Sequence, residues 1–401
     1  MARLFRWATC LVFLLSAAAA GAAPLNEAEA VKRGLAQPDI RATLAARLDI
    51  VAGNAAAAGR WTNPEIEYSE ESLGLAAGDS KERSLWIRQR LNLAGVHGLE
   101  RDAAERLQLA ETSRNEVAER EVAGEIRRLF HAALAADAEL STVVSWQRRL
   151  KELTIAVERR VDAGDASRYD HLRLQRELAL IRGDAFDAQA TAESARDRLF
   201  SLIGGQHVEL QGSLLPSPPA MAAIADLVAD HPLLRVLDAE AASASLSAKA
   251  FGRRSWPEIT LGIGRREVAE PNFAADGNLV MLGVEIPLFD RGDGRKFAAE
   301  GRARRLQAER SLAASRLAAD ARAILRELEA HREAALALQA KDPQADALAA
   351  IAESAYLEGE IGVMELVDAH RTDLAAQRAA IVRSHAARKS YIELQFLRGN
   401  P

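Results

Sequence analysis

The stretch Leu85-Trp86-Ile87-Arg88-Gln89-Arg90-Leu91-Asn92-Leu93 carries the reading of the whole chain. Leu85, Ile87, Leu91 and Leu93 fall on one face of an extended segment, and Arg88, Arg90 and Asn92 fall on the other, with Trp86 among them. A shift of 195 residues carries Leu85, Ile87, Leu91 and Leu93 onto Val280, Leu282, Ile286 and Leu288, again one apolar face. The opposite face there carries Gly283 and Glu285. A slip of one residue would have turned every side chain over, so the phase of the strand has survived the shift. Each of these segments has an upstream partner, Ile66 and Tyr68 alternating with Glu65, Glu67 and Ser69 in one case, and Leu261 and Ile263 alternating with Thr260 and Gly262 in the other.

The same offset of 195 superimposes Trp61 on Trp256, Ala103-Ala104-Glu105 on Ala298-Ala299-Glu300, and Gly164 on Gly359. The chain therefore reads as two copies of one unit, residues 23–215 and 216–401, joined in the turn-rich stretch Gly204 to Pro219. Each unit is read as helix, hairpin, very long helix, turn and helix, with hairpins at about 63–94 and 257–289 and turns near 164 and 359. No proline occurs between Val96 and Leu215. Leu99, Ala103, Leu107 and Ala110, then Val122, Ile126, Leu129 and Ala133, recur at helical steps, as do Leu306, Ala313, Leu317, Ala321, Ile324 and Leu328 in the second copy. Helix from 96 to 160 would be ~97 Å long, which calls for coiled-coil partners. Pro343 is expected to kink or break the second long helix.

The first 22 residues read as a cleaved export signal: Arg3 and Arg6, then an apolar run from Trp7 to Ala18, then Ala20-Gly21-Ala22. Cys10, the single cysteine, lies inside it, so an exported mature chain is expected to have no disulfide and to rely on packing and oligomerisation. Without that segment 50 basic residues stand against 57 acidic ones, a balance that points away from nucleic acid. No later segment reaches the 18 or so consecutive apolar residues of a membrane-spanning helix. Segments of about ten residues, apolar on one side and polar on the other, are instead the pattern of a transmembrane β-barrel. Two hairpins supply only four strands, and open edges are not tolerated in lipid, so oligomerisation must close the barrel. Glu65 and Glu67 facing Arg88 and Arg90 are expected to pair across strands on the lumen side, where Glu285 also points. A solvated sheet face accounts for those charges equally well.

With Asn63-Pro64-Glu65 opening the first strand and Ile286-Pro287-Leu288-Phe289-Asp290 closing the last, the chain resembles the TolC-type outer membrane factor family. Gly359 followed by Val363 to Ala369 matches that family's second helical turn, and the resemblance covers essentially the whole mature chain. The acidic strand Glu65-Ile66-Glu67-Tyr68-Ser69-Glu70-Glu71 is most similar to the CzcC-like branch that serves heavy-metal pumps. The resemblance implies a mainly α fold with a small β part: a duplicated α-helical coiled-coil barrel plus four strands of an oligomeric transmembrane barrel. It also implies a homotrimer in outer-membrane lipid, a periplasmic adaptor, an inner-membrane pump of the RND type, and export of small toxic substrates. A type I protein-secretion duct uses the same family, and a soluble periplasmic coiled-coil scaffold is the competing class.

Val161-Asp162-Ala163-Gly164-Asp165 and Tyr356-Leu357-Glu358-Gly359-Glu360 place a glycine where long helices reverse. By the resemblance, Gly164, Asp165, Gly359 and Glu360 form the periplasmic tips on which an adaptor docks. Glu365 and Asp368, three residues apart on one helix face, would form acidic rings that narrow the closed pore. Two solvated helix carboxylates are the plainer alternative. The eight histidines show no ligand spacing, and no cofactor or metal is expected. No nucleophile elbow or phosphate loop is present, and Gly262-Ile263-Gly264 runs on into Arg265-Arg266-Glu267, so no enzyme is expected.

Overall fold

The computed structural model describes residues 24–75, 78–217, 228–339 and 348–397. The export signal with Cys10, the last prolines of the junction (Pro218 and Pro219) and the expected break at Pro343 lie outside the described residues. Two short helices, α1 (Glu27–Leu35) and α2 (Pro38–Ala57), lead into strands β1 (Glu65–Leu75) and β2 (Gly78–Leu91). Helix α3 (Val96–Ala163) and helix α4 (Arg168–Ile203) complete the first half. The second half runs α5 (Pro232–Arg253), β3 (Glu258–Glu270), β4 (Phe273–Glu285), α6 (Asp293–Gln339), α7 (Leu348–Glu358) and α8 (Val363–Leu397). Both α2 and α5 start with a proline in the first turn, where its missing N–H costs nothing.

Helix α3 has 68 residues, so it extends ~100 Å. Its buried stripe includes Ala103, Ala110, Ile126, Phe130, Ala133, Trp146, Leu150 and Val157. In α6 Leu306, Ala321 and Leu328 are buried. Leu107, which the helical period places on the stripe, is exposed. The many alanines let neighbouring helices approach closely, and ion pairs then tie the flanks. Arg371 forks the Glu177 carboxylate at 2.8 and 2.5 Å, joining α8 to α4. Arg114 bonds both Glu111 on its own helix and Glu240 on α5.

The four strands form one antiparallel sheet in the order β1-β2-β3-β4. The central pairing, β2 with β3, joins the two halves and runs from Lys81↔Ala269 to Leu91↔Ile259. Within the chain, β1 and β4 are the free edges. No described helix is long and apolar enough to cross a membrane, a statement that does not bear on strands.

Candidate functional site: sheet, tips and gate helix

The sheet has the burial of an inside-out object. On its apolar face Ile66, Leu85, Ile87, Leu261, Ile263, Val280 and Leu282 are all exposed, with Ile263 at 62% and Val280 at 85%. On the other face Ser84, Trp86 and Arg88 are half-buried. Paired residues share a face, so Ile66↔Ile87↔Ile263↔Val280 is one continuous apolar row across all four strands. A sheet in water would bury this row. Left open, on a face with seven exposed apolar side chains, it is a surface that calls for an apolar solvent or partner to cover it.

On the polar face Glu65 stands directly opposite Arg88, yet the ion pair is made diagonally, between Glu67 and Arg88. The register places Trp86 opposite Glu67, so Arg88 reaches across the diagonal and lies 5.8 Å from the Trp86 ring centroid. Arg266 pairs with Glu82, and Ser69 and Ser84 share a 2.8 Å hydrogen bond. Arg90 sits opposite Thr260 and has no carboxylate within 4.0 Å among the described residues, so the expected pairing to Arg90 does not form. Glu285 faces Glu258, whose carboxylate accepts from Asn92 Nδ2 at 3.0 Å. The glycines of Gly262-Ile263-Gly264 have a packing reason: a Cβ on Gly264 would meet the Trp86 ring at 2.8 Å, and one on Gly262 would meet the Met281 methyl at 3.1 Å.

At the far end of the helices the two turns repeat one another bond for bond. Gly164 has φ +83° and Gly359 φ +80°, the left-handed region where a side chain is strained. Gly164 N–H donates to Val161 O and Asp165 N–H to Arg160 O, and Gly359 N–H donates to Tyr356 O and Glu360 N–H to Ala355 O. Both are the same paired helix-ending motif. Arg160 joins the turns by donating to the Tyr356 carbonyl at 3.2 Å, with its guanidinium 5.5 Å from the Tyr356 ring centroid.

Helix α8 starts just past the second turn. Its Val363, Leu366 and Val367 are buried against α3 and α4, while Glu365 and Asp368 are exposed on the other side. The Glu365 carboxylate folds back over Gly362, so close that a Cβ on that glycine would lie 2.9 Å from it. An acidic group here meets the positive end of the α8 dipole, which stabilises the helix start whatever else it does. Deeper in the same helix, His370 is buried, stacked on Trp146 with ring centroids 4.4 Å apart. Burial and the nearby Arg149 push its pKa down to about 4. Glu353 lies 3.1 Å from His370 Nε2, but Arg149 already holds that carboxylate. A second buried histidine, His131, contacts Glu27 at 2.8 Å, and that hydrogen bond holds the Glu27 carboxyl below its usual range.

No protein-family model matches the chain. Over 227 residues it is 30% identical to the cobalt-zinc-cadmium resistance protein CzcC of Cupriavidus metallidurans, and the match covers 54% of this chain and 53% of that one. The chain thus spans about half the length of that relative. It is 25% identical over 296 residues to the nickel-cobalt-cadmium resistance protein NccC of Alcaligenes xylosoxydans xylosoxydans, covering 71% of this chain and 67% of the other. The solved structure of CusC superimposes with a TM-score of 0.80 at 16% identity, covering 94% of this chain and 92% of CusC. The outer-membrane channel OprN superimposes with a TM-score of 0.77 at 19% identity, covering 94% and 90%. This is a TolC-type outer-membrane channel fold.

In the channel fold, Arg160 links the first turn to the second through the Tyr356 carbonyl. Glu65, Glu67, Arg88 and Glu285 share the polar face with Arg90, and Glu365 and Asp368 share the exposed side of α8. Sequence reading passed over the group in which the buried Trp146 and His370 meet the half-buried Glu353 and the exposed Arg149, because its members come from three separate helices. It also passed over Lys81, Arg83 and Arg265, although their strand parity, the same as that of Ile87 and Ile263, was available in the sequence.

Proposed function

We propose that the chain is one protomer of an outer-membrane exit duct in a tripartite efflux system, most of it standing in the periplasm. The observation that carries this reading is the exposed apolar row on a sheet whose two edges are open, set at one end of a helix ~100 Å long. Edge β4 pairing with edge β1 of a neighbour closes the sheet without leaving unsatisfied backbone in lipid, and three copies give twelve strands. The two units, 23–215 and 216–401, would each supply one hairpin and one tip. The polar face then lines the lumen with Glu65, Glu67, Arg88, Arg90 and Glu285. The tips, Gly164 with Asp165 and Gly359 with Glu360, would receive a periplasmic adaptor, itself coupled to an inner-membrane pump of the RND type. Heavy-metal cations are the proposed cargo, by the likeness to the cobalt-zinc-cadmium and nickel-cobalt-cadmium resistance proteins.

Deletion of the gene is expected to lower tolerance to cobalt, zinc, cadmium or nickel salts, with restoration by a plasmid copy. Unchanged tolerance to all four would overturn the metal assignment. Glu365 and Asp368 are proposed to ring the closed pore, because α8 buries its apolar side and leaves these two carboxylates outward. The Glu365→Ala/Asp368→Ala protein is expected to show higher conductance and weaker cation selectivity in planar bilayers. Unaltered values would leave these carboxylates as a helix start and a solvated side chain.

A further inference from the structure

The apolar row of the sheet gives way, toward the hairpin ends, to charged residues on the same face. Arg83 stands opposite both Glu70 and Glu267, Glu267 opposite Asp276, and Arg265 opposite Leu85, so all of them share the parity of Ile87 and Ile263. Lys81, Arg83, Arg265, Glu267 and Asp276 line a groove of about 510 Å³. Arg83 lies four residues beyond Ile87, ~13 Å along the strand. If the apolar row lies in hydrocarbon, as proposed above, this groove lies on the lipid side at headgroup level, at the end of the barrel away from the helices.

We propose that the groove is a site for the phosphate groups of an outer-leaflet glycolipid whose acyl chains run down the Leu85–Ile87–Ile263 surface. The inference rests on the duct reading and adds a ligand to it. The carboxylates do not fill the site. Glu70 accepts from the Tyr68 hydroxyl at 2.7 Å and leaves Arg83 a longer contact of 3.4 Å. Asp276 and Glu267 are both spent on Arg265, at 2.6 and 3.5 Å. A guanidinium has five N–H donors, so Arg83 and Arg265 keep donors for a phosphate after these contacts. Lys81 has no carboxylate within 4.0 Å among the described residues, so its ammonium is the cation of the groove that no ion pair holds. A phosphate ester is an anion that both cation types hold by charge-assisted bonds. A neutral headgroup would leave the Lys81 charge without a partner.

The probe is lipid A in its bis-phosphorylated and its dephosphorylated forms, added to the detergent-solubilised full-length channel and followed by native mass spectrometry. Wild-type protein is expected to retain the phosphorylated form about tenfold more strongly, the worth of one charge-assisted contact. Lys81→Ala, which breaks no ion pair, is expected to lose most of that preference, and Lys81→Ala/Arg265→Gln the rest. Equal retention of the two forms, or a preference unchanged in both variants while the protein fractionates with outer membranes, would overturn the proposal and leave the duct standing. Phosphatidylglycerol competing as well as lipid A would also overturn it, by showing a general anion surface. A protein missing from the outer-membrane fraction would overturn the lipid-facing reading of the sheet itself, and the glycolipid site with it.

Discussion

Ile263→Arg is expected to abolish accumulation of the assembled channel in the outer membrane. Ile263 sits in the middle of β3, between Ile87 and Val280 in the continuous apolar row, with 62% of its surface exposed. For a residue that open to water, arginine would change stability by no more than about 0.5 kcal/mol. In hydrocarbon the same change costs about 2–4 kcal/mol near the bilayer midplane, and a trimer carries it in every copy. The two environments thus differ in outcome by far more than the spread of surface substitutions. Glu71→Arg is the companion variant. Glu71 lies on the polar face opposite Glu82, so its replacement removes a like-charge neighbour and should leave assembly intact. Outer-membrane fractionation with a heat-modifiability gel reads both variants. Normal trimer levels for Ile263→Arg would mean that the apolar row faces water or another protein.

That row was legible in the sequence because strand parity is a local property: each residue's face follows from its neighbours, and both hairpins repeated it. The long helices were legible for the same reason, through the apolar recurrence that ends up as the buried stripe of α3. What the sequence pattern left open depends on contacts between distant segments. The pairing of β2 with β3, which fuses the two halves into one sheet, has no local signature. Neither does the diagonal choice of Glu67 over Glu65 by Arg88, which follows from where Trp86 lies. Gly262 and Gly264 read as an incomplete nucleotide motif until Met281 and Trp86 were seen to occupy the space above them. The Glu365 carboxylate is the subtler case. Its spacing to Asp368 suggested a paired ring, and what the spacing did not show is that the carboxylate folds back over Gly362 at the start of its helix.

Acid is expected to loosen the packing of α8 through His370. Around this imidazole stand Trp146 and Arg149 from α3, Glu353 from α7, and Asp373 from α8 itself. Its pKa in the folded chain is about 4 against an ordinary 6.5, because burial and Arg149 both disfavour the charged ring. When α8 separates from α3 the ring regains water and its ordinary pKa. Above pH 6.5 the ring is neutral in both states and the contact has its full strength. Between 6.5 and about 4 only the separated state takes up the proton, so the packed state loses stability as pH falls, by about 2 kcal/mol near pH 5 and about 3 kcal/mol at the plateau. Hydrogen exchange of the α7 and α8 amides, corrected for intrinsic rates, is therefore expected to be about 20-fold less protected near pH 5 than near pH 7. The Glu27 carboxyl does not obscure this window, because its hydrogen bond from His131 places its titration below the ordinary 4.5. His231 and His385 are also lowered by burial and shift stability in the same direction, so the comparison must be local and made against His370→Phe. Phenylalanine keeps the stacking on Trp146 but has no proton to take up, and its α8 should lose the extra acid sensitivity. Equal acid loosening in His370→Phe and wild type would place the titrating group elsewhere. Because His370 lies five residues beyond Glu365 on one rigid helix, the same pair of proteins compared in planar bilayers tests whether that loosening reaches the pore.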